Sequence, residues 1–243
     1  MFQLNRQLIL TARKLEQGPL ENYTHMATLI HKMNLLLLEF ETIPQLKNSL
    51  KLIFSKKLLN TVVDFVMNTD NFANFGIRFL EIMALEYADK IVKSEILGVV
   101  GGLLRTNDYE TVAQSLSFIS VLCESASISQ DKTTLNIEKV LNKKLLVLIM
   151  KVFYKTQEIE YLHYVLQIVN HAIMIKELRT AILTESLKPP TGDSAEEKAN
   201  PYTYAMLLKN QTEKTNEVLA ISRLHQKVIR QRRELESWAS AKK

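Results

Sequence analysis

The sequence predicts an all-α fold, an α-solenoid of helical hairpins followed by a long C-terminal helix. The first observation behind this prediction is an internal repeat that aligns on Thr69, Thr106 and Thr156, with apolar residues at the same offsets in each copy. Offsets of three and four residues mark one face of a helix, so each copy is predicted to be two amphipathic helices joined at the threonine. The second observation is that the 243 residues include only six Gly and five Pro, too few for the many turns of an all-β fold.

The predicted core consists of the apolar positions that recur in the three copies. Before the threonines these positions hold Leu59, Val62, Val63, Val66, Ile96, Val99, Val100, Leu103, Leu146, Ile149, Met150 and Phe153. After the threonines they hold Phe72, Phe75, Phe79, Ile82, Tyr109, Val112, Leu116, Ile119, Ile159, Leu162, Leu166 and Val169. Repeated helical hairpins bury such faces only against neighbouring hairpins, so these side chains are expected to form one continuous core.

A further hairpin is predicted ahead of the repeats. The segment from Met1 to Leu15 is basic and amphipathic, which is typical both of a mitochondrial transit peptide and of a first helix covering the end of a solenoid. The first-helix interpretation is favoured because nothing resembles a cleavage site. A second helix is predicted from about Asn22 to Phe40, and Pro44 suits the first turn of the next helix, where its missing N–H costs nothing.

The spacing between copies indicates an insertion. The first two threonines are 37 residues apart and the last two are 50 residues apart. The difference falls in Ser125 to Asn136, which is rich in Ser, Thr, Asp and Asn and is predicted to be a loop, or a loop with a short helix. Loops on repeat proteins often carry binding specificity, so this segment is a candidate contact site.

The sequence divides into a helical-repeat domain over residues 1–187, a flexible linker over 188–200 and a long basic helix over 201–243. The linker contains Pro189, Pro190 and Gly192 and no apolar residue larger than Ala. Within the helix, steps of three and four residues resemble a short coiled-coil seam. The seam residues predicted to bind a partner are Ile221, Leu224, Val228, Leu235 and Trp238. Packing of this seam against the solenoid and pairing with another chain are both open interpretations.

The positive charge of the protein is concentrated in this last helix. The formal net charge is +5, and the segment from Arg223 to Lys243 carries seven basic residues against two acidic ones. Such a segment attracts phosphate groups or acidic protein surfaces through its electrostatic field. The residues expected to make these contacts are Arg223, Lys227, Arg230, Arg232 and Arg233.

No motif for catalysis, metal binding or cofactor binding is present in the sequence. The five histidines form no H-E-x-x-H pair, and a single cysteine cannot complete a Cys-based zinc site. Cys123 is predicted to be a core residue. Gly98, Gly101 and Gly102 fall inside a predicted helix, where small residues are expected to let a neighbouring helix approach. We therefore expect a protein that is not an enzyme and has no cofactor and no small-molecule substrate.

The paired-helix pattern resembles armadillo or HEAT-type repeats, most closely in residues 94–106 followed by 112–122. The resemblance covers Ser55 to about Ile182 and is to the superfamily pattern. It implies a right-handed superhelix whose inner groove binds extended peptides or helices of other proteins. The nuclear-import branch carries ladders of Trp and Asn, whereas Met83, Ser120 and Asn170 occupy one aligned position here. Recognition of basic import signals is therefore not expected.

Two functional hypotheses follow from the sequence. The first is a scaffold or adaptor subunit of a multiprotein complex, which binds partner proteins through the repeat surface and the C-terminal helix. Candidate anchors are Tyr87, Tyr109, Tyr154, Tyr161 and Tyr164. The alternative is an accessory nucleic-acid-binding protein that grips phosphates through the basic helix. The longest apolar run, Leu145 to Met150, is too short to cross a bilayer. A cytoplasmic or nuclear location is expected, with a mitochondrial one as the minority interpretation.

Overall fold

The computed structural model describes residues 2–18, 22–69, 71–131, 133–155 and 159–186, and in these residues the chain forms helices and no strand. The helices are α1 (Phe2–Gln17), α2 (Tyr23–Leu38), α3 (Ile43–Ile53), α4 (Lys56–Asn68), α5 (Ala73–Val92), α6 (Ile96–Leu103), α7 (Tyr109–Ile128), α8 (Ile137–Val140), α9 (Lys143–Lys155), α10 (Ile159–Ala172) and α11 (Lys176–Ser186). The all-α prediction is confirmed for this part of the chain. The predicted linker and C-terminal helix lie outside the described residues.

The chain divides after Val140 into two compact units, the first with α1 to α8 and the second with α9 to α11. In the first unit α1 packs on α2 and α4 packs on α5, each pair forming a hairpin, and α6 packs on α7. Contacts also join α1 to α4 and α4 to α6 in one row, and α2 to α5 and α5 to α7 in a second row. In the second unit α9 packs on both α10 and α11.

The leading hairpin forms as the sequence predicts. On α1, Leu8, Ala12 and Leu15 are buried. The inward-facing residues predicted for α2 are all buried: Met26, Leu29, Ile30, Met33 and Leu37. Pro44 lies in the first turn of α3, where the Thr42 side chain accepts a hydrogen bond from the backbone N–H of Gln45. The apolar spacing and the helix-start residues were sufficient signals here.

Most of the aligned repeat positions are buried in their own unit, as predicted. The exceptions among the described side chains are the half-buried Phe72, Phe75, Ile82 and Val99 and the exposed Tyr109. Phe72 and Tyr109 occupy the same aligned position, at the start of the second helix of each hairpin. That position lies at the end of the hairpin, where the neighbouring row gives less cover.

The aligned threonines close the first helix of each hairpin. Thr69 Oγ1 donates to the carbonyl oxygen of Phe65 at 2.7 Å, and Thr106 Oγ1 donates to that of Leu103 at 2.9 Å. The last carbonyls of a helix have no partner within the helix, so a hydroxyl at this position satisfies one of them and favours a turn. Thr156 lies outside the described residues.

Gly76 on α5 permits close packing of two helices. A Cβ atom at Gly76 would lie 2.4 Å from Val66 Cγ2 and 3.2 Å from Phe65 Cδ1, both on α4. By contrast, Gly98 and Gly102 on α6 are exposed, and a Cβ atom at either would meet nothing within 4 Å. The prediction that these two glycines admit a neighbouring helix is therefore wrong for the described residues, although the helix itself is confirmed.

The contact between α5 and α7 is the most extensive helix contact of the first unit and includes a half-buried polar cluster. Glu81 on α5 accepts hydrogen bonds from Gln114 Nε2 and from Ser117 Oγ, the latter at 2.6 Å. Burial raises the pKa of the Glu81 carboxyl above its usual 4.5, and these hydrogen bonds and Arg78 only partly oppose that shift. The cluster fixes the register of the two helices because each donor reaches the same carboxylate.

Among the described helices, α7 alone is long and apolar enough to cross a bilayer. About 67% of its most apolar stretch is buried inside the protein. Packing against α5, α6 and α8 accounts for this composition, as it does for core helices in general.

We predict that Gly76→Ala destabilises the protein by about 1 to 3 kcal/mol, because the new methyl group overlaps the buried, β-branched Val66. The matched control is Gly98→Ala, which meets nothing within 4 Å and should stabilise α6 by about 0.5 to 1 kcal/mol through helix propensity alone. Urea unfolding followed by circular dichroism measures both changes. Equal effects of the two substitutions would contradict the close packing of α5 on α4.

We predict that Glu81 makes the free energy of unfolding fall as pH rises above about 4.5, and that Glu81→Gln removes this contribution. The folded protein binds this proton more tightly than the unfolded chain, so the stability linked to Glu81 is present below about pH 4.5 and is lost as pH rises through the raised pKa. The free energy of unfolding of the native protein, relative to that of the variant, should therefore fall from pH 4.5 towards pH 7. Glu110→Gln, an equal charge change at an exposed site on α7, serves as the control. A difference that rises over this range would contradict the assignment.

Candidate functional site

The site residues predicted from the sequence lie outside the described residues. This holds for the seam residues Ile221, Leu224, Val228, Leu235 and Trp238 and for the basic residues Arg223, Lys227, Arg230, Arg232 and Arg233. The candidate site of the described chain is instead a groove in the first unit, beside the predicted contact segment Ser125 to Asn136.

The groove forms because α5 and α7 run side by side in the same direction. Glu81 meets Gln114 and Ser117, and the later residues Asp89 of α5 and Ile128 of α7 again line one space together. Beyond the polar cluster the two helices therefore become the two walls of an open trough. We call this trough the α5–α7 groove.

The α5–α7 groove has a volume of about 270 Å³ and is open to solvent. Its lining residues are Ala84, Leu85, Glu86, Ala88 and Asp89 from α5, Ser125, Ile128 and Ser129 from the end of α7, and Thr134 and Leu135 from the following loop. Pockets for drug-sized ligands are usually somewhat larger and more enclosed, in the range of roughly 300 to 1,000 Å³. The groove is therefore better suited to one or two side chains of a bound polypeptide than to a free small molecule.

Apolar side chains occupy the floor and one rim of the groove. Ala84 and Ala88 are buried in the floor, and Leu135 is buried where the loop closes the end. Ile128 is 77% exposed on the rim. A large aliphatic side chain in water beside an apolar trough is a favourable contact for a partner, because covering it removes apolar surface from solvent.

The α5 wall is held in place by α3. At Tyr87 the backbone leaves helical geometry, with φ −125° and ψ 29°, and its ring stacks on Phe54 with centroids 3.8 Å apart. The neighbouring Glu86 forms an ion pair with Lys51 at 3.0 Å and a longer one with Lys47 at 3.7 Å. Exposed ion pairs add little stability, so the aromatic stack is the stronger of the two constraints. Together they set the angle at which the end of α5 borders the groove.

The third wall is the loop between α7 and α8, and Asp131 organises it. The Asp131 carboxylate accepts hydrogen bonds from the Thr133 N–H at 2.9 Å and from the Thr134 Oγ1 at 2.9 Å. The Thr133 and Thr134 hydrogen bonds lower the pKa of Asp131 to about 2, so the carboxylate stays ionised and the turn stays closed at all but strongly acidic pH. Lys139 on α8 donates to the carbonyl oxygens of Thr133 and Thr134.

The insertion is thus an ordered element. The sequence places the loop at Ser125, whereas α7 continues to Ile128 because Ala126 packs in the core. A short helix, α8, follows as one of the two predicted forms. The direct consequence is that the end of α7, rather than a loop, presents Ile128 at the groove.

A second group of exposed apolar side chains lies on α2. Leu35 and Leu38 are 51% and 57% exposed, and His31 on the same face lies over Phe75 of α5 with ring centroids 5.0 Å apart. Asn34, which is buried between these helices, donates from Nδ2 to the carbonyl oxygen of Phe75 at 3.0 Å. These residues do not line the α5–α7 groove.

The candidate tyrosine anchors have different surroundings. Tyr109 is 45% exposed, Tyr161 is buried, Tyr87 stacks on Phe54, and Tyr164 contacts the ring of His163. The side chain of Tyr154 lies outside the described residues. Tyr109 is thus the most exposed of the four described rings.

The described residues contain no group of three His, Cys, Asp or Glu side chains able to hold a metal ion. Cys123 lies fully buried on α7, as predicted, and burial raises the pKa of its thiol far above the usual 9.0. A thiol in this state is a packing residue and not a nucleophile. The groove itself brings together carboxylates, hydroxyls and aliphatic groups, which can bind but which include no nucleophile paired with a base.

Comparison with known proteins supports the fold. No protein-family model and no curated protein matches the chain. Among solved structures, the crystal structure of an engineered protein from the Northeast Structural Genomics Consortium is similar, with a TM-score of 0.52 and 14% sequence identity over 93% of this chain and 90% of that chain. At this identity the similarity concerns the arrangement of the helices alone.

Proposed function

We propose that the protein is a non-catalytic scaffold or adaptor subunit of a multiprotein complex, and that it binds a segment of a partner protein in the α5–α7 groove. The observation that carries the proposal is the exposed Ile128 on the rim of an open trough that has both aliphatic and polar lining residues. A partner that covers Ile128 and the aliphatic part of the trough would remove apolar surface from water, which favours binding.

The proposed architecture is an armadillo- or HEAT-like solenoid of stacked hairpins. Support comes from the two rows of the first unit, α1–α4–α6 and α2–α5–α7, in which each helix contacts the equivalent helix of the next hairpin. The parallel course of α5 and α7 is also what stacked hairpins produce. In such an architecture the surface of one row is free for binding, because the hairpins bury their faces between the rows.

The proposed mechanism is docking onto a surface that needs little rearrangement. The Glu81 cluster, the stack of Tyr87 on Phe54 and the Asp131 turn each fix one wall of the groove. A rigid groove avoids most of the entropy loss that ordering a flexible one would entail. Apolar side chains of the partner would fill the floor over Ala84 and Ala88, and contact with Ile128 would contribute most of the affinity.

The C-terminal residues add two further parts to the proposal. The seam over Ile221, Leu224, Val228, Leu235 and Trp238 would bind a second protein chain or pack on the repeats. As the alternative function, the basic residues Arg223, Lys227, Arg230, Arg232 and Arg233 would bind the phosphates of a nucleic acid. Both parts are based on the sequence alone.

We predict that Ile128→Glu weakens binding of the natural partner about tenfold or more. A buried charge and a lost anchor at the centre of an interface cost about 2 kcal/mol or more. The matched control is Ile43→Glu, the same change at another exposed isoleucine of the first unit, 62% exposed on α3. Affinity capture from source cells with the full-length proteins, followed by quantitative mass spectrometry, identifies partners, and titration with the purified partner gives the dissociation constants.

The comparison between the two glutamate variants decides this test. A partner retained by the native protein and by Ile43→Glu, but lost by Ile128→Glu, supports the groove. Equal recovery of every partner with both variants would show that the groove is not the binding site. Circular dichroism of both variants checks that the helices are intact.

The nucleic-acid alternative makes a separate prediction. Replacing the five basic residues, Arg223, Lys227, Arg230, Arg232 and Arg233, with Gln in the full-length protein should abolish binding to a single-stranded oligonucleotide. In the native protein five phosphate contacts should give a slope of about −3 to −4 for log K against log salt concentration. Fluorescence anisotropy at several salt concentrations measures both. Unchanged oligonucleotide affinity in the variant, or in a chain ending at Ser222, would exclude this role for the basic residues.

A further inference from the structure

The second unit carries a positively charged surface that neither the groove nor the C-terminal residues include. It lies on α9, which has four lysines and no acidic residue over Lys143–Lys155. Asn142 directly precedes the helix, and its Oδ1 accepts a hydrogen bond from the backbone N–H of Leu145 at 2.9 Å.

Burial divides α9 into two faces. The residues packed in the second unit are Leu145, Leu146, Ile149, Met150 and Phe153. Lys144 and Lys151 are exposed on the opposite face, and the half-buried Val147 and Leu148 lie between them. Seven residues make about two helical turns, so the two lysines lie about 10.5 Å apart along one stripe. We call these four residues the α9 stripe.

The lysines of the α9 stripe have no acidic partner in the described structure. The ion pairs formed by described residues involve Lys47, Lys51, Lys90 and Lys93, all in the first unit. A pair of ammonium groups on one helix face, with no ion-paired carboxylate among the described residues, produces a positive field. The surface therefore complements a negatively charged partner.

The apolar residues between the lysines indicate which kind of negatively charged molecule fits the stripe. Val147 and Leu148 offer aliphatic surface, and the described side chains of the stripe include no arginine and no aromatic ring. Single-stranded nucleic acids gain much of their affinity from stacking on aromatic rings, which the stripe lacks. A helix with carboxylates seven residues apart and aliphatic side chains between them would match both the charge spacing and the apolar centre.

The basic end of this chain does not have the required charge. The segment from Arg223 to Lys243 carries seven basic residues and two acidic ones, so it would be repelled by the α9 stripe. We infer that the α9 stripe is a docking surface for an acidic amphipathic helix of another protein, distinct from the partner segment proposed for the α5–α7 groove.

The test uses a fluorescently labelled synthetic peptide of 20 residues, designed as a helix with glutamates every seven residues and leucines three and four residues after each glutamate. Its binding to the full-length protein is measured by fluorescence anisotropy at low and high salt. The comparison ligands are a scrambled peptide of the same composition, a single-stranded oligonucleotide, and vesicles containing phosphatidylserine.

Three variants separate the contributions of charge and apolar contact. Lys144→Glu with Lys151→Glu should weaken peptide binding at least tenfold, and Leu148→Ala should weaken it severalfold. The control, Lys56→Glu with Lys57→Glu, makes the same charge change at two exposed lysines on α4 and should bind the peptide as the native protein does. Ile128→Glu should also leave peptide binding unchanged, so this result is independent of the groove proposal.

Each outcome decides the inference. Selective loss with the α9 variants, together with weaker binding of the scrambled peptide, supports docking of an acidic helix. Equal peptide binding by the α9 double variant and the α4 double variant would overturn it. Loss of oligonucleotide or vesicle binding in the α9 double variant, with no peptide binding by the native protein, would also overturn it and would assign the stripe to phosphate groups.

Discussion

The first unit depends on the burial of α5 from several sides at once. This helix contacts α2, α3, α4, α6 and α7, more neighbours than an isolated helical hairpin could supply. Its apolar face meets α4 at the close approach allowed by Gly76, while the carboxylate of Glu81 fixes its position against α7. An amphipathic helix gains most of its stability from such packing and little from its own propensity, so the α5–α7 groove exists because α5 is held in this way.

The sequence was most informative where a regular spacing carries a physical meaning. Steps of three and four residues identified the buried faces of α2, α4 and α7, and a threonine hydroxyl that bonds a terminal carbonyl explains why Thr69 and Thr106 align. Gly76 could not be recognised in this way, because its role depends on the distance to Val66 on another helix. Gly98 and Gly102 of α6 stood out in the sequence, yet their side of the helix is open.

The sequence could not predict the groove either, for a related reason. The composition of Ser125 to Asn136 correctly indicated an irregular segment, but the continuation of α7 to Ile128 depends on the burial of Ala126. The bend at Tyr87 has no Pro or Gly to indicate it in the sequence, and at the bend the Tyr87 ring stacks on Phe54. The total charge also concealed a local feature. Residues 1–222 are formally neutral, yet they include α9, whose charged residues are all lysines.

The position of Cys123 has a practical consequence for studying this molecule. It is the sole sulfhydryl of the chain, and it lies in the interior of α7 where reagents in water cannot reach it. Alkylation can therefore proceed only when the helices around α7 separate. The molecule consequently contains its own chemical reporter of how often the first unit opens, and no label or added reporter group is needed to read it.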